Sequence, residues 1–232
     1  MLKITQKPKP LVLCILDGWG MTGNNPGNAV LAANPQNFNG LWSSYPHTYL
    51  TTTGQAVGLP QGVVGNSEVG HQNLGAGKIV LQNLLRINLV IENGTFFENK
   101  ALLAAANHAK TNNSNIHLAG LIGAGQVHSN TGHFFALLAF LKQQQIPSSR
   151  VKIHLFTDGR DSPPTSAKTY LSQVIKKLDE EDLGKIASIT GRYFAMDRDN
   201  RWDRTAKAFF CLTGQATRYA QDPQQVVGES YA

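Results

Sequence analysis

Apolar residues in this chain gather into short runs, and the stretches between the runs carry apolar positions at helical spacing. The largely apolar runs at 11–16, 116–121, 151–156 and 186–190 are five or six residues long. That length suits buried strands better than helices. Helical spacing is found over 29–43, 80–92, 99–110, 132–144, 164–178 and 201–213. A threonine-rich segment at 48–53 adds one more strand candidate, while the polar tail after Ala216 carries no strong pattern. Alternating strand and helix candidates predict an α/β fold, with mostly parallel sheet or sheets flanked by helices. The Gly-Ala-Gly passage at 75–77 suggests a boundary near 77–81.

The segment 65–71 reads Gly-Asn-Ser-Glu-Val-Gly-His. Upstream, Gly54, Gly58, Leu59-Pro60 and Gly62 read as turns, and the residues after Ser67 can continue helically to Ala76. Ser67 therefore falls where a loop becomes a helix. Backbone N–H groups and the positive helix end favour an alkoxide or a phosphate ester there, which makes Ser67 a candidate nucleophile. The same position suits a helix cap. A serine hydroxyl is weak at neutral pH and needs a base or a metal. Asp17 closes the run 11–16 in Asp17-Gly18-Trp19-Gly20. Reactive groups in open α/β sheets collect beyond the carboxyl ends of strands, where a carboxylate can hold a hard divalent cation. A cation shared with Ser67 would lower the serine pKa and take up phosphoryl charge. A plain Asp-Gly turn is the competing reading.

Further charged residues follow the later runs. Arg160 and Asp161 come after 151–156 and precede Pro163-Pro164, which would start a helix; an adjacent ion pair is the simpler account of the two charges. Arg192 and Arg198 come after 186–190, either at a strand-end site or as solvated surface charges. A guanidinium fork binds carboxylate or phosphate through two parallel hydrogen bonds, so these arginines suit an anionic ligand. His128 follows the run 116–121 through Gly123, Gly125 and Gln126, as a ligand group or as a loop histidine satisfied by backbone. His71 is assigned a local hydrogen-bonding role. His128 and His133 are five apart, not the four of a helical zinc pair. Gly70 to Lys78 is too widely spaced for a phosphate-binding P-loop, with Ile79 in place of Ser or Thr, and 123–128 places His128 where a dinucleotide fingerprint needs its third glycine.

Asp17-Gly18-Trp19-Gly20, the segment 65–71, Val127-His128-Ser129, the segment 157–164 and the segment 191–198 together resemble the cofactor-independent, manganese-dependent phosphoglycerate mutases of the alkaline phosphatase superfamily. The resemblance runs from about Pro10 to the chain end and stops in mid-domain. It implies that Ser67 accepts the phosphoryl group of phosphoglycerate and returns it to the other glycerate hydroxyl, interconverting 2- and 3-phosphoglycerate. It implies two Mn2+ ions, with Asp17 and Ser67 among the ligands and the remaining ligands in a second half that this sequence lacks. His128, Arg160, Asp161, Arg192 and Arg198 match its substrate-binding positions, Asp161 contacting the glycerate hydroxyls. Residues 1–80 would be the amino-terminal part of a phosphatase-like metal-binding domain, and 81–232 an inserted phosphotransferase domain, incomplete at its carboxyl end. A complete member would be a monomer. Two alternatives stand beside this: a phosphatase of the same superfamily, and a truncated, noncatalytic remnant with poor solubility and little turnover.

Composition narrows the partners. Charged residues make up 16% of the chain, below the usual ~25%. The net charge of +6 divides evenly, with seven basic against four acidic residues in 1–116 and fourteen against eleven in 117–232. No single basic face of the kind a nucleic-acid reader needs is indicated. The cations Arg192, Arg198, Arg201, Arg204 and Lys207 are interleaved with Asp197, Asp199 and Asp203, which fits local binding of a small anion. Cys14 and Cys211 read as buried thiols of a reducing compartment. Lys3, Lys7 and Lys9 precede an apolar run too short for a secretory core, and no run approaches the roughly 20 residues that span a bilayer. A cytoplasmic, membrane-free protein is expected.

Overall fold

The computed structural model describes residues 9–23, 26–216 and 218–231; Lys3 and Lys7 lie outside them. The chain divides into two compact units, Met1–Val80 and Leu81–Ala232.

The second unit is built on a three-stranded parallel sheet of order β1-β2-β3, with β1 at Ile116–Ile122, β2 at Val151–Thr157 and β3 at Lys185–Gly191. Three of the four expected runs are thus strands. Helix α6 (Thr131–Gln143) joins β1 to β2, and α7 (Ala167–Glu181) joins β2 to β3. Val151, Ile153 and Leu155 alternate along β2 and are fully buried, as are Leu138 of α6 and Leu171 and Val174 of α7. All belong to one core cluster. Each such side chain contributes about 2 kcal/mol by leaving water. On the opposite side of β2, His154 is buried but satisfied: its ring nitrogens lie 2.8 Å from His117 Nδ1 and 2.7 Å from Ser188 Oγ. Burial, and then the neighbouring His117, lower its pKa. Helices α4 (Asn83–Glu92), α5 (Lys100–Thr111), α8 (Arg192–Ala195), α9 (Trp202–Leu212) and α10 (Pro223–Glu229) complete the unit.

The register carries the functional consequence. Ile122 pairs with Thr157, and Thr157 with Gly191. The three strands therefore end level, and Gly123, Asp158 and Arg192 leave the sheet along one carboxyl edge.

Glu181 ties α7 to α6, accepting from Lys142 Nζ at 2.8 Å and from Lys177 Nζ at 2.6 Å. The bond from Lys142, then that from Lys177, hold its carboxyl at about 2 instead of the ordinary 4.5. A carboxyl depressed on folding stabilises the native state above its unfolded value, and that contribution is lost as pH falls through the folded one. Glu181→Gln is therefore expected to melt ~2 °C below the parent at pH 7. The two melting curves should converge between pH 4.5 and 2. A gap that persists at pH 2 would assign the effect to packing.

The first unit departs from expectation. It holds α1 (Ala29–Ala33), α2 (Gln36–Ser44) and α3 (Ser67–Ala76), and among its described residues there is no strand. The runs 11–16 and 48–53 are irregular, and Leu11, Val12 and Leu13 are 93%, 85% and 74% exposed. A strand exists only through hydrogen bonds to a neighbour, and no described segment of this unit pairs with either run. Cys14 is accordingly exposed, and Cys211 half-buried, donating weakly to the Ile189 carbonyl from α9. Pro35 splits the single helix expected over 29–43 into α1 and α2, because its ring cannot continue α1. A small cluster of Val57, Leu59 and Val69 packs the start of α3. In the second unit, α7 starts three residues beyond Pro164, after a turn in which Ser166 N–H and hydroxyl both donate to the Pro163 carbonyl. The tail after Ala216 contains α10, opened by the Asp222 cap and Pro223.

Candidate active site

In the first unit, α3 begins with Ser67, and its cap is Asn66, whose side chain accepts from Val69 N–H at 3.0 Å. Ser67 is thus the first helical residue, with its hydroxyl free of any capping duty. The hydroxyl donates to Asp17 Oδ2 across fifty residues of sequence. Asp17-Gly18 does form the turn that its dipeptide suggests, with Trp19 N–H donating to the Leu16 carbonyl and Gly18 at φ 74°. The turn carries the carboxylate that Ser67 meets. Gly65 lets the loop pass against the chain at Thr52, since a Cβ there would overlap the Thr52 carbonyl oxygen. His71 Nδ1 lies 2.8 Å from the Ser67 carbonyl, a local contact one turn along α3. Asp17 Oδ2 and Ser67 Oγ are both exposed, hard oxygen donors that converge. They fit part of the shell of a hard divalent cation. Among the described residues no three His, Cys, Asp or Glu side chains cluster, so the pair supplies only a share of such a shell.

In the second unit, the level ends of the three strands bring residues from three loops together. Asp158, which follows β2, is 3% exposed in its side chain. Its Oδ1 accepts from the N–H groups of Arg160 at 3.0 Å and Asp161 at 3.1 Å, and its Oδ2 from the Ser162 hydroxyl at 2.9 Å. Ser162 Oγ in turn accepts from Ala124 N–H at 2.9 Å, linking the β1 and β2 loops. Arg192, which follows β3, donates from Nη1 to Asp158 Oδ1 at 2.7 Å and to Asp161 Oδ2 at 2.6 Å. Burial alone would raise the Asp158 carboxyl, but the bond from Arg192 and those from the turn outweigh it and hold it below the usual carboxylate range. Asp161, and then Asp158 against the cost of burial, raise Arg192. His128 lies on the β1 side, with Nε2 3.9 Å from Asp161 Oδ2. His128, Asp158 and Asp161 line a shallow depression with Gly123 and Gly125. Glycine is required at 125 because a Cβ there would overlap Asp161.

Of the residues named from sequence, the structure brings His128, Asp161 and Arg192 together. Arg160 and Arg198 have exposed side chains and no ion-pair partner among the described residues. Adjacent charges at 160 and 161 do not pair with each other; Asp161 pairs with Arg192 instead. Two of the cations of 192–207, Arg201 and Arg204, pair with carboxylates of the same stretch. Arg204 is bound by Asp197 at 3.2 Å and Asp199 at 3.4 Å, and stacks 4.0 Å above the Tyr193 ring. Arg201 is bound by Asp203 at 3.1 Å. Asp158 is the residue that sequence reading left out. Its signal was available, because Asp158-Gly159 follows a strand as Asp17-Gly18 follows the run 11–16.

Comparison with known proteins agrees with the family resemblance. The family described as BPG-independent PGAM N-terminus matches residues 87–232. The chain is 48% identical over 232 residues to the 2,3-bisphosphoglycerate-independent phosphoglycerate mutase 1 of Methanosarcina barkeri, covering all of this chain and 44% of that one. It is 47% identical over 223 residues to the 2,3-bisphosphoglycerate-independent phosphoglycerate mutase of Moorella thermoacetica, covering 96% of this chain and 43% of that one. Among solved structures, a phosphoglycerate mutase of Leishmania mexicana, crystallised at low cobalt concentration, matches with a TM-score of 0.68 and 26% identity, over 83% of this chain and 36% of the other. The chain thus spans less than half the length of the curated relatives it matches. No helix among the described residues is long and apolar enough to cross a membrane.

Proposed function

The chain belongs to the 2,3-bisphosphoglycerate-independent phosphoglycerate mutase family, and from that premise we propose that it carries the nucleophile and substrate-binding parts of an enzyme interconverting 2- and 3-phosphoglycerate. The observation that carries the reading is the Ser67 hydroxyl at the first position of α3, hydrogen-bonded to Asp17. Ser67 is the acceptor. The P–O bond to one glycerate oxygen breaks as the bond from phosphorus to Ser67 Oγ forms, and the departing glycerate oxygen gains the equivalent of the proton that Ser67 gives up. The second half-reaction reverses this at the other hydroxyl, so the phosphate count and the proton count close without water. Backbone N–H groups at the start of α3 favour the phosphoserine dianion.

Asp17 and Ser67 would hold Mn2+, together with donors from outside this chain. The ion, when bound, lowers the pKa of the serine hydroxyl and neutralises phosphoryl charge. In the second unit, Arg160, Arg192, Arg198 and His128 bind the substrate's carboxylate and phosphate, and Asp161 contacts the glycerate hydroxyls and moves a proton. The first unit then contributes to a phosphatase-like metal domain, and the second is the phosphotransferase domain. Glycolytic use in the cytoplasm follows from the substrate.

The test is to fuse the chain in frame to the remaining part of the M. barkeri relative and supply 3-phosphoglycerate with Mn2+. Phosphorus NMR should show the 2-phosphoglycerate signal growing without inorganic phosphate. Release of inorganic phosphate as the main product would make the protein a phosphatase and overturn the mutase reading.

A further inference from the structure

A buried carboxylate inside a site for a multiply charged anion is electrostatically unfavourable, and Asp158 is such a group. Its side chain is 3% exposed, and its acceptor positions are engaged by four internal donors: Arg192 Nη1, the N–H groups of Arg160 and Asp161, and the Ser162 hydroxyl. Its oxygens are therefore committed to groups of the protein itself. Arg192 explains its presence. A guanidinium has five N–H donors in a fixed plane, two of them on Nη1. Both Nη1 hydrogens are taken, by Asp158 Oδ1 and Asp161 Oδ2, so the edge formed by Nε and Nη2 is left to receive an oxyanion through two parallel bonds. Asp161 is 21% exposed, whereas Asp158 is buried and accepts bonds at both of its carboxylate oxygens. The same Oδ1 atom fixes the backbone turn from which Arg160 and Asp161 project.

We propose that Asp158 is a positioning residue, which orients the free edge of Arg192 and sets the Arg160-Asp161 turn for binding the substrate's carboxylate or phosphate. This rests on the reading of the second unit as a phosphoglycerate site. Geometry and charge give opposite expectations for Asp158→Asn, which keeps the shape and removes a negative charge. If charge governed, phosphoglycerate would bind more tightly. With Asp158 as a positioning residue, the Kd of the 232-residue chain for 3-phosphoglycerate rises about tenfold.

Two measurements on this chain decide it. Calorimetry gives the Kd, and nitrogen-15 NMR follows the Arg192 side-chain N–H signals without ligand. The expected result is a sharp Arg192 signal in the parent, loss of that signal with the raised Kd in Asp158→Asn, and neither change in Glu181→Gln, whose bonds tie α7 to α6 and touch none of these groups. Tighter or unchanged binding with a sharp Arg192 signal in Asp158→Asn overturns the proposal. Should that variant fail to fold, Asp158→Glu keeps the charge and displaces the carboxylate by one methylene, and the same rise in Kd is expected. If the parent binds no phosphoglycerate, the functional reading falls, and the Arg192 signal alone decides whether Asp158 orients the guanidinium.

Discussion

Arg192→Ala is expected to lower the unfolding free energy by about 3 kcal/mol at pH 7, because it strands the buried charge of Asp158. The side chains of Arg192 and Asp158 are 11% and 3% exposed, so solvent cannot replace the lost bond at 2.7 Å. The turn N–H groups and Ser162 still donate to Asp158, which keeps the penalty at the low end for an orphaned buried charge. For a chain of this size the midpoint should fall by about 6–12 °C. The pH dependence separates this from loss of packing. In the parent, Asp158 titrates below its ordinary range, so it stabilises the fold above that range and the contribution disappears as pH falls. Without Arg192 the burial effect that raises the carboxyl is opposed only by the turn, so the parent's advantage at neutral pH shrinks under acid. Thermal melts of both proteins from pH 7 to pH 3 should therefore converge. Arg192→Lys restores a charge but not the fork, and should recover stability more fully than it recovers phosphoglycerate binding. A constant gap at every pH would mean that Arg192 acts through its apolar stem.

Why the strands of the second unit could be read from sequence, and the first unit's could not, follows from what an apolar run encodes. Runs 116–121, 151–156 and 186–190 are each followed or preceded by a helix with an apolar face, and the partners that satisfy their backbone groups are one another. The run 11–16 has the composition of a central strand, but composition does not supply a neighbour, and its side chains stay in solvent. The candidate site shows the same limit. Ser67 and Asp17 were visible as chemistry, as was Arg192, but not the partner each one meets. Asp158-Gly159 after a strand marks the position in sequence, but its burial and its four donors are visible only in the fold. The pairings within 192–207 stay hidden for a related reason, since spacing along a chain does not tell which carboxylate a given arginine reaches. Helix α10 was within reach, as Asp222 and Pro223 are a cap and a first-turn proline.

Ser67→Ala and Asn66→Ala should have opposite consequences, and the pair separates a nucleophile from a helix cap. Asn66 supplies the cap bond at 3.0 Å, so Asn66→Ala should cost about 1 kcal/mol of stability. It leaves the Ser67 hydroxyl in place, and phosphoryl uptake should persist. Ser67 is exposed and caps nothing, so Ser67→Ala should change stability by no more than ~0.5 kcal/mol. Its effect on chemistry is expected to be far larger. With the accepting oxygen gone, no covalent intermediate can form, and losses for a deleted nucleophile are on the order of 10^4- to 10^6-fold. Asp17→Asn belongs with Ser67→Ala, because it removes the carboxylate charge that meets the hydroxyl while the Asp17-Gly18 turn, made by backbone groups, survives. The measurement is mass spectrometry of the peptide spanning 65–71 after incubation of the fused protein with 3-phosphoglycerate and Mn2+. Phosphate should appear on that peptide in the parent and in Asn66→Ala, and on no peptide in Ser67→Ala. Phosphate retained by Ser67→Ala, or turnover within tenfold of the parent, would move the acceptor to another residue.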